Sequence, residues 1–79
     1  MEQDWKESKE ALEKTFRFKD FQAAISFVND VGKIAEDMNH HPDICIQNYN
    51  EVMVSTTTHS EGKVVTQKDH KLARAIDSI

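Results

Sequence analysis

Residues 39–59 read NHHPDICIQNYNEVMVSTTTH, and this stretch decides the fold. Pro42 disfavours helical geometry at His41, so a helix arriving from upstream must end near Asn39. Beyond the proline, DICIQN (43–48) sets Ile44 and Ile46 on one face of an extended segment. EVMVSTTTH (51–59) alternates and is rich in β-branched residues, which suit a pleated, half-buried surface. NYN (48–50) between them reads as a turn, because asparagine tolerates turn backbone angles. The stretch is therefore a β-hairpin entered from the end of a helix. A hairpin brings its outer ends together, so His40 and His41 at its entrance and His59 at its exit are expected to converge.

Working outward, KDFQAAISFVNDVGKIAEDMN (19–39) carries Phe21, Ala24, Ile25, Val28, Val31, Ile34, Ala35 and Met38 at steps of three and four, one stripe along a helix. Asp20 is its N-cap, because a carboxylate there accepts from the exposed amides of the first turn. Gly32 costs a helix interior about 1 kcal/mol relative to alanine, which suggests close packing against a sheet at that point. Upstream, ALEKTFRF (11–18) places Leu12, Phe16 and Phe18 on one side, with Lys14 interrupting, as in a half-buried strand. Residues 1–10 are polar apart from Trp5 and read as a short strand or a loose arm. Downstream, SEGK (60–63) is a loop, and Thr66 caps a second helix with Asp69 as its capping-box partner. The apolar stripe of that helix is Leu72, Ala73, Ile76 and Ile79. The pattern is α+β, an antiparallel sheet with helices on one face. The free face of the sheet and its edge strand are candidate oligomer surfaces.

A chain of 79 residues makes one domain over 1–79 with a marginal core. Cys45 is the only cysteine, which excludes an internal disulfide and a thiolate zinc framework. Self-association is the remaining way to gain burial. The net charge of −4 and the pI near 5.4 argue against direct binding to nucleic acid, which needs clustered Lys and Arg. No apolar run approaches the roughly 18 residues of a membrane span, and MEQDWKESKE lacks the apolar core of a signal peptide. With a single thiol, a cytoplasmic location is expected.

Imidazole titrates nearest neutral pH and gives or takes protons at modest driving force. Neighbouring rings disfavour each other's charged form, so one pocket can hold rings in different protonation states. Three plain alternatives stand beside an acid–base site. The helix dipole favours histidine at a C-terminus, His59 is at a strand end, and three His could hold zinc with one position open. Against zinc, adjacent residues point apart and no HxH or HxxxH pair is present, so no metal is expected. Glu36 lies one turn before His40, at i+4, either as its partner or on a solvated face. Asp43 or Glu36 could orient the rings. Tyr49 is expected to pack in the hairpin, Cys45 to be a small buried group, and His70, between Lys68 and Lys71 on a charged helix face, to lie at the surface.

The run EDMNHHPDICIQNY (36–49), the histidine ten residues beyond Tyr49, and TQKDHKLARAID (66–77) resemble the pterin-4a-carbinolamine dehydratases. LEKTFRFKDFQAAISFVNDVGKIAE (12–36) is similar to that family's strand and first long helix, and the likeness spans about residues 5–79. Its most specific part is the ordered set Glu36, His40, His41, Pro42, Tyr49, His59 and Asp69. The resemblance implies a four-stranded antiparallel sheet with two helices packed on one face, assembled as a homodimer or homotetramer. It implies loss of water from 4a-hydroxytetrahydropterin to give quinonoid dihydropterin, without metal or cofactor. That step serves tetrahydrobiopterin recycling after aromatic amino-acid hydroxylation. His40 and His59 match the family's general acids, and His41 the histidine that contacts the pterin and assists proton transfer; which ring is acid and which base stays open. Pro42, Glu36 and Asp69 complete the expected substrate-binding set. Pro42 sets the turn that aims the two histidines, and Asp69 is equally a helix cap. The chain departs from longer members in lacking an extra N-terminal helix, in the loop SEGKVVTQKD (60–69), which has one glycine, and in Ile44, where some relatives carry an aromatic ring. A second class of function is a non-catalytic binding module, since some animal members are dimerisation cofactors of a homeodomain transcription factor. The three histidines favour catalysis.

Overall fold

The alternation of residues 43–59 becomes an antiparallel pair. In the computed structural model, which describes residues 4–79, the order is β1 (Lys6–Glu7), β2 (Leu12–Arg17), α1 (Phe21–Met38), β3 (Asp43–Gln47), β4 (Glu51–Thr56), a 3-10 turn (His59–Glu61) and α2 (Gln67–Asp77). Of the strand or arm expected over residues 1–10, β1 supplies the strand, and residues 1–3 lie outside the described part. All neighbouring strands are antiparallel, in the order β1-β2-β4-β3. This is the four-stranded sheet with two helices on one face.

Register puts the even-numbered side chains of β2, β3 and β4 on the helix side. Phe16 and Ile46 flank Val52, and Lys14 and Ile44 flank Val54. The core joins Val52 and Val54 to Ala24, Phe27 and Val31 of α1 and to Leu72 and Ile76 of α2. Lys14 stays on this apolar face because its charge is answered there. Its Nζ lies 3.0 Å from Asp77 Oδ1 at the end of α2 and 4.8 Å from the centre of the Phe16 ring.

Asp20 caps α1 by accepting from the Ala23 N–H at 2.8 Å. The buried row of the helix is Ala24, Phe27, Val31 and Ala35. Phe27, absent from the expected stripe, is the aromatic centre of the core, 4.6 Å from Phe16 and 4.9 Å from Phe18 between ring centres. Phe21 begins one turn before that row and is 53% exposed. Gly32 corrects another expectation: a Cβ added there meets nothing within 4 Å. It follows buried Val31 by one residue, which on a helix turns it away from the sheet.

Three further expectations are corrected at chain turns and edges. Ile79 is exposed because α2 stops at Asp77 and no longer carries it on the buried stripe. Tyr49 is 64% exposed, in a turn where Asn48 and Tyr49 both take positive φ. Cys45 is exposed, since as an odd-numbered residue it faces the far side of the sheet, opposite Met53.

Candidate active site

The end of α1, the start of β3, the end of β4 and the first turn of α2 meet at one end of the sheet. Asn39, in the left-handed region at φ 53°, closes α1. Its N–H reaches the Glu36 carbonyl at 3.2 Å, and the His40 N–H reaches the Ala35 carbonyl at 3.1 Å. This pairing satisfies the last carbonyls of a helix and locks the His40 backbone to the helix end. Half-buried Pro42 then leads into β3.

From that anchor the two imidazoles diverge. The His40 ring crosses to α2, with Nε2 at 2.6 Å from Asp69 Oδ1. The His41 ring sits 2.6 Å from Glu36 Oε1 through its Nε2, with 58% of its side chain exposed. The pairing of Glu36 with His40 at i+4 does not form. The left-handed residue between them breaks the helical screw, so His40 leaves the Glu36 face and His41 takes its place.

Asp69 has no exposed surface and organises this end. Its Oδ1 also accepts from Thr56 Oγ1 at 2.6 Å. Its Oδ2 accepts from Thr58 Oγ1 at 2.8 Å and from the Thr66 N–H at 2.9 Å. The last of these bonds is half of the capping box that starts α2, so one carboxylate is both helix cap and imidazole partner. Burial alone would raise its pKa. Donors from His40, Thr56, Thr66 and Thr58 outweigh burial and hold it below the ordinary carboxylate value. An ionised carboxylate only accepts, so in this contact His40 Nε2 carries the proton and the neutral ring has a bare Nδ1.

Thr56 and Thr58 were missed in the sequence. The signal was present: alternation carries both onto the inward row of Val52 and Val54, where a hydroxyl must find a partner. His59 follows Thr58, starts the 3-10 turn and is exposed. Strand β4 itself ends at Thr56, and Thr58 forms an isolated bridge with Val64. His59 and His40 thus share this end through Thr58 and Asp69, while the His41 ring is held by Glu36. Among the described residues, no three His, Cys, Asp or Glu side chains gather as ligands to a metal would. His70 is half-buried and lies 3.3 Å from Glu7 Oε1, tying α2 to β1.

The hollows lie elsewhere. A half-open pocket of about 760 Å³ lies beside the other end of α2, walled by Lys14, Phe16, Phe18, Phe27, Ile76 and Ile79 among others. A smaller one of about 410 Å³ lies by Trp5, Lys6, Glu13 and Met53. No histidine lines either, and Lys14 and Asp77 in the larger are paired with each other. The hollows offer shape, while the acid–base groups stand at the His40–Asp69 end.

A four-stranded sheet backed by two helices, with carboxylate–imidazole pairs at one end, defines a class of small domain, and comparison with known proteins identifies the family. Residues 1–79 match the model of the pterin 4 alpha carbinolamine dehydratase family, and the chain belongs to that family. A Sulfolobus acidocaldarius protein named "Putative pterin-4-alpha-carbinolamine dehydratase" is 45% identical over 75 residues, covering 95% of this chain and 80% of that one. Proteins of the same name from Sulfurisphaera tokodaii and Chloroflexus aurantiacus are 48% and 47% identical, covering 95% and 96% of this chain and 78% and 80% of theirs. The crystal structure of a transcriptional coactivator/pterin dehydratase from Brucella melitensis superposes with a TM-score of 0.83 at 38% identity, over 94% of this chain and 79% of that one. A pterin dehydratase-like protein identified as a RuBisCO assembly factor in the alpha-carboxysome shares the fold, with a TM-score of 0.77 at 19% identity over 96% of this chain and 88% of that one.

Proposed function

We propose that this chain dehydrates 4a-hydroxytetrahydropterin to quinonoid dihydropterin by imidazole acid–base catalysis, a step of tetrahydrobiopterin recycling in the cytoplasm. The observation that carries the reading is His40, whose Nε2 lies 2.6 Å from the buried Asp69 carboxylate, a group whose four hydrogen-bond donors favour its ionised form. In the reaction the C4a–O bond breaks as a proton reaches the hydroxyl, which leaves as water. The N5 proton is lost and the N5=C4a double bond forms. No electrons are gained or lost overall, and one proton is returned for the one spent. The pterin is the substrate, and the proposed chemistry runs on side chains without metal or cofactor.

His40 and His59 deliver and recover these protons, and His41, held by Glu36, contacts the pterin. Pro42 aims the two adjacent rings, and Asp69 acts through His40. Correct placement of such groups contributes about 10²–10⁴-fold to a rate. The runner-up is a non-catalytic binding module, favoured by the coactivator description of the Brucella melitensis protein.

One experiment separates the two. Enzymatically generated 4a-hydroxytetrahydropterin is supplied and the quinonoid product followed by absorbance. The wild type is expected to exceed buffer, and the His40→Ala/His59→Ala double variant to fall to the buffer rate. A wild type no faster than buffer, or a fully active double variant, would remove the catalytic reading.

A further inference from the structure

We infer that Thr56 and Thr58 are positioning residues for His40, acting through Asp69. The inference rests on the proposed dehydratase site and extends it to two side chains that bond to Asp69. An ionised carboxylate has about four places to accept hydrogen bonds, and at Asp69 all four are filled. Oδ1 takes Thr56 Oγ1 and His40 Nε2, and Oδ2 takes Thr58 Oγ1 and the Thr66 N–H. The carboxylate therefore has one orientation in which nothing is lost, and that orientation presents Oδ1 to the imidazole.

Proton counting gives the network a direction. Thr58 has one hydroxyl proton, and Asp69 takes it. In the 2.7 Å contact between the two hydroxyls, Thr66 must then donate and Thr58 accept. The Thr66 oxygen in turn accepts from the Lys68 N–H at 3.2 Å. A chain of donors thus runs from the first turn of α2 through Thr66 and Thr58 into Asp69, and His40 and Thr56 complete it from the other side. Aligned hydrogen bonds of this kind polarise one another. Without the Thr58 or the Thr56 hydroxyl, the carboxylate has an unfilled position and is free to turn. His40 then loses the fixed acceptor that keeps the proton on Nε2 and Nδ1 available.

Thr57 supplies an internal control. It lies between the two, and its buried Oγ1 has no hydrogen-bond partner, so replacing it with valine removes no bond.

The test reads the His40 ring nitrogens by ¹⁵N NMR and the dehydratase kinetics in the same proteins. In the wild type, Nε2 is expected to show a protonated signal and Nδ1 a bare one at a pH where the ring is neutral. Thr58→Val and Thr56→Val are expected to mix the two tautomers and to lower kcat roughly ten- to hundred-fold, the scale of loss when a reacting group is slightly misplaced, with KM nearly unchanged. Thr58→Ser and Thr56→Ser restore the wild-type pattern, and Thr57→Val never departs from it. Val variants that fold and keep a single Nε2–H tautomer with full kcat overturn the inference, as do Ser variants that fail to rescue. If the Val variants do not fold, the wild type still decides, because a bare Nε2 on neutral His40 overturns it and a protonated one supports it. The ring signals need no substrate. An inactive wild type with the expected tautomer removes the dehydratase reading and leaves the hydrogen-bond network standing.

Discussion

Asp69 shows how much one side chain can settle. An asparagine in its place would set an N–H₂ against donors that already need acceptors. Its lowered pKa makes stability depend on pH with a definite sign. A carboxylate that titrates below its unfolded value, about 3.9, gives its full contribution above that value and loses it as pH falls through the folded one. Asp69→Asn is therefore expected to be less stable than wild type at pH 7, by about 3–5 kcal/mol as for a broken buried pair. The two urea curves should approach each other as pH falls below about 4. A constant gap across that range would mean that folding does not lower the pKa of Asp69. The three histidines and Asp69 were legible as residues because their types and spacing carry chemistry. The His40–Asp69 bond was not, since its ends are 29 positions apart and local spacing reports only partners within a turn or two. For the same reason Glu36 was matched to His40 by counting along an ideal helix, which Asn39 interrupts.

Elements were read well where period and cap agreed. The stripe of α1 and the alternation of β4 fixed type, and Asp20, Asn39 and Thr66 fixed ends. Some misreadings fell where an element begins, turns or stops, at Phe21, Tyr49 and Ile79, because periodicity does not say where the partner surface ends; Phe27 and Cys45, inside α1 and β3, were misread as to which face is covered. Gly32 is a different case. Its cost was read as a sign of tight packing, yet the space beside it is open. With no neighbour to displace and a helical backbone that alanine adopts freely, Gly32→Ala should stabilise the protein by about 1 kcal/mol. Chemical denaturation with an unchanged m-value measures this. A destabilised variant would show that the helix face at Gly32 is covered in solution.

At the scale of the molecule, the sheet has two unequal edges. Strand β1 is two charged residues long, which blunts pairing with another chain. Strand β3 runs five residues, Asp43–Gln47, with neither lysine nor proline to discourage an added strand. Among the described residues the helices leave the opposite face of the sheet uncovered, with Cys45 exposed and Met53 half-buried. A domain this small buries only about 60–65% of the surface its unfolded chain exposes, so association along this edge and face would add burial that the single chain lacks. The chain is expected to sediment at a multiple of its 9.1 kDa mass. Its Tm should rise with protein concentration, as mass action requires when association occurs only in the folded state. Cys45→Lys, which puts a charge on the open edge without touching the core, should shift the population toward monomer and remove that dependence. A wild type that sediments at 9.1 kDa with a Tm independent of concentration would show that the two helices and the sheet suffice alone.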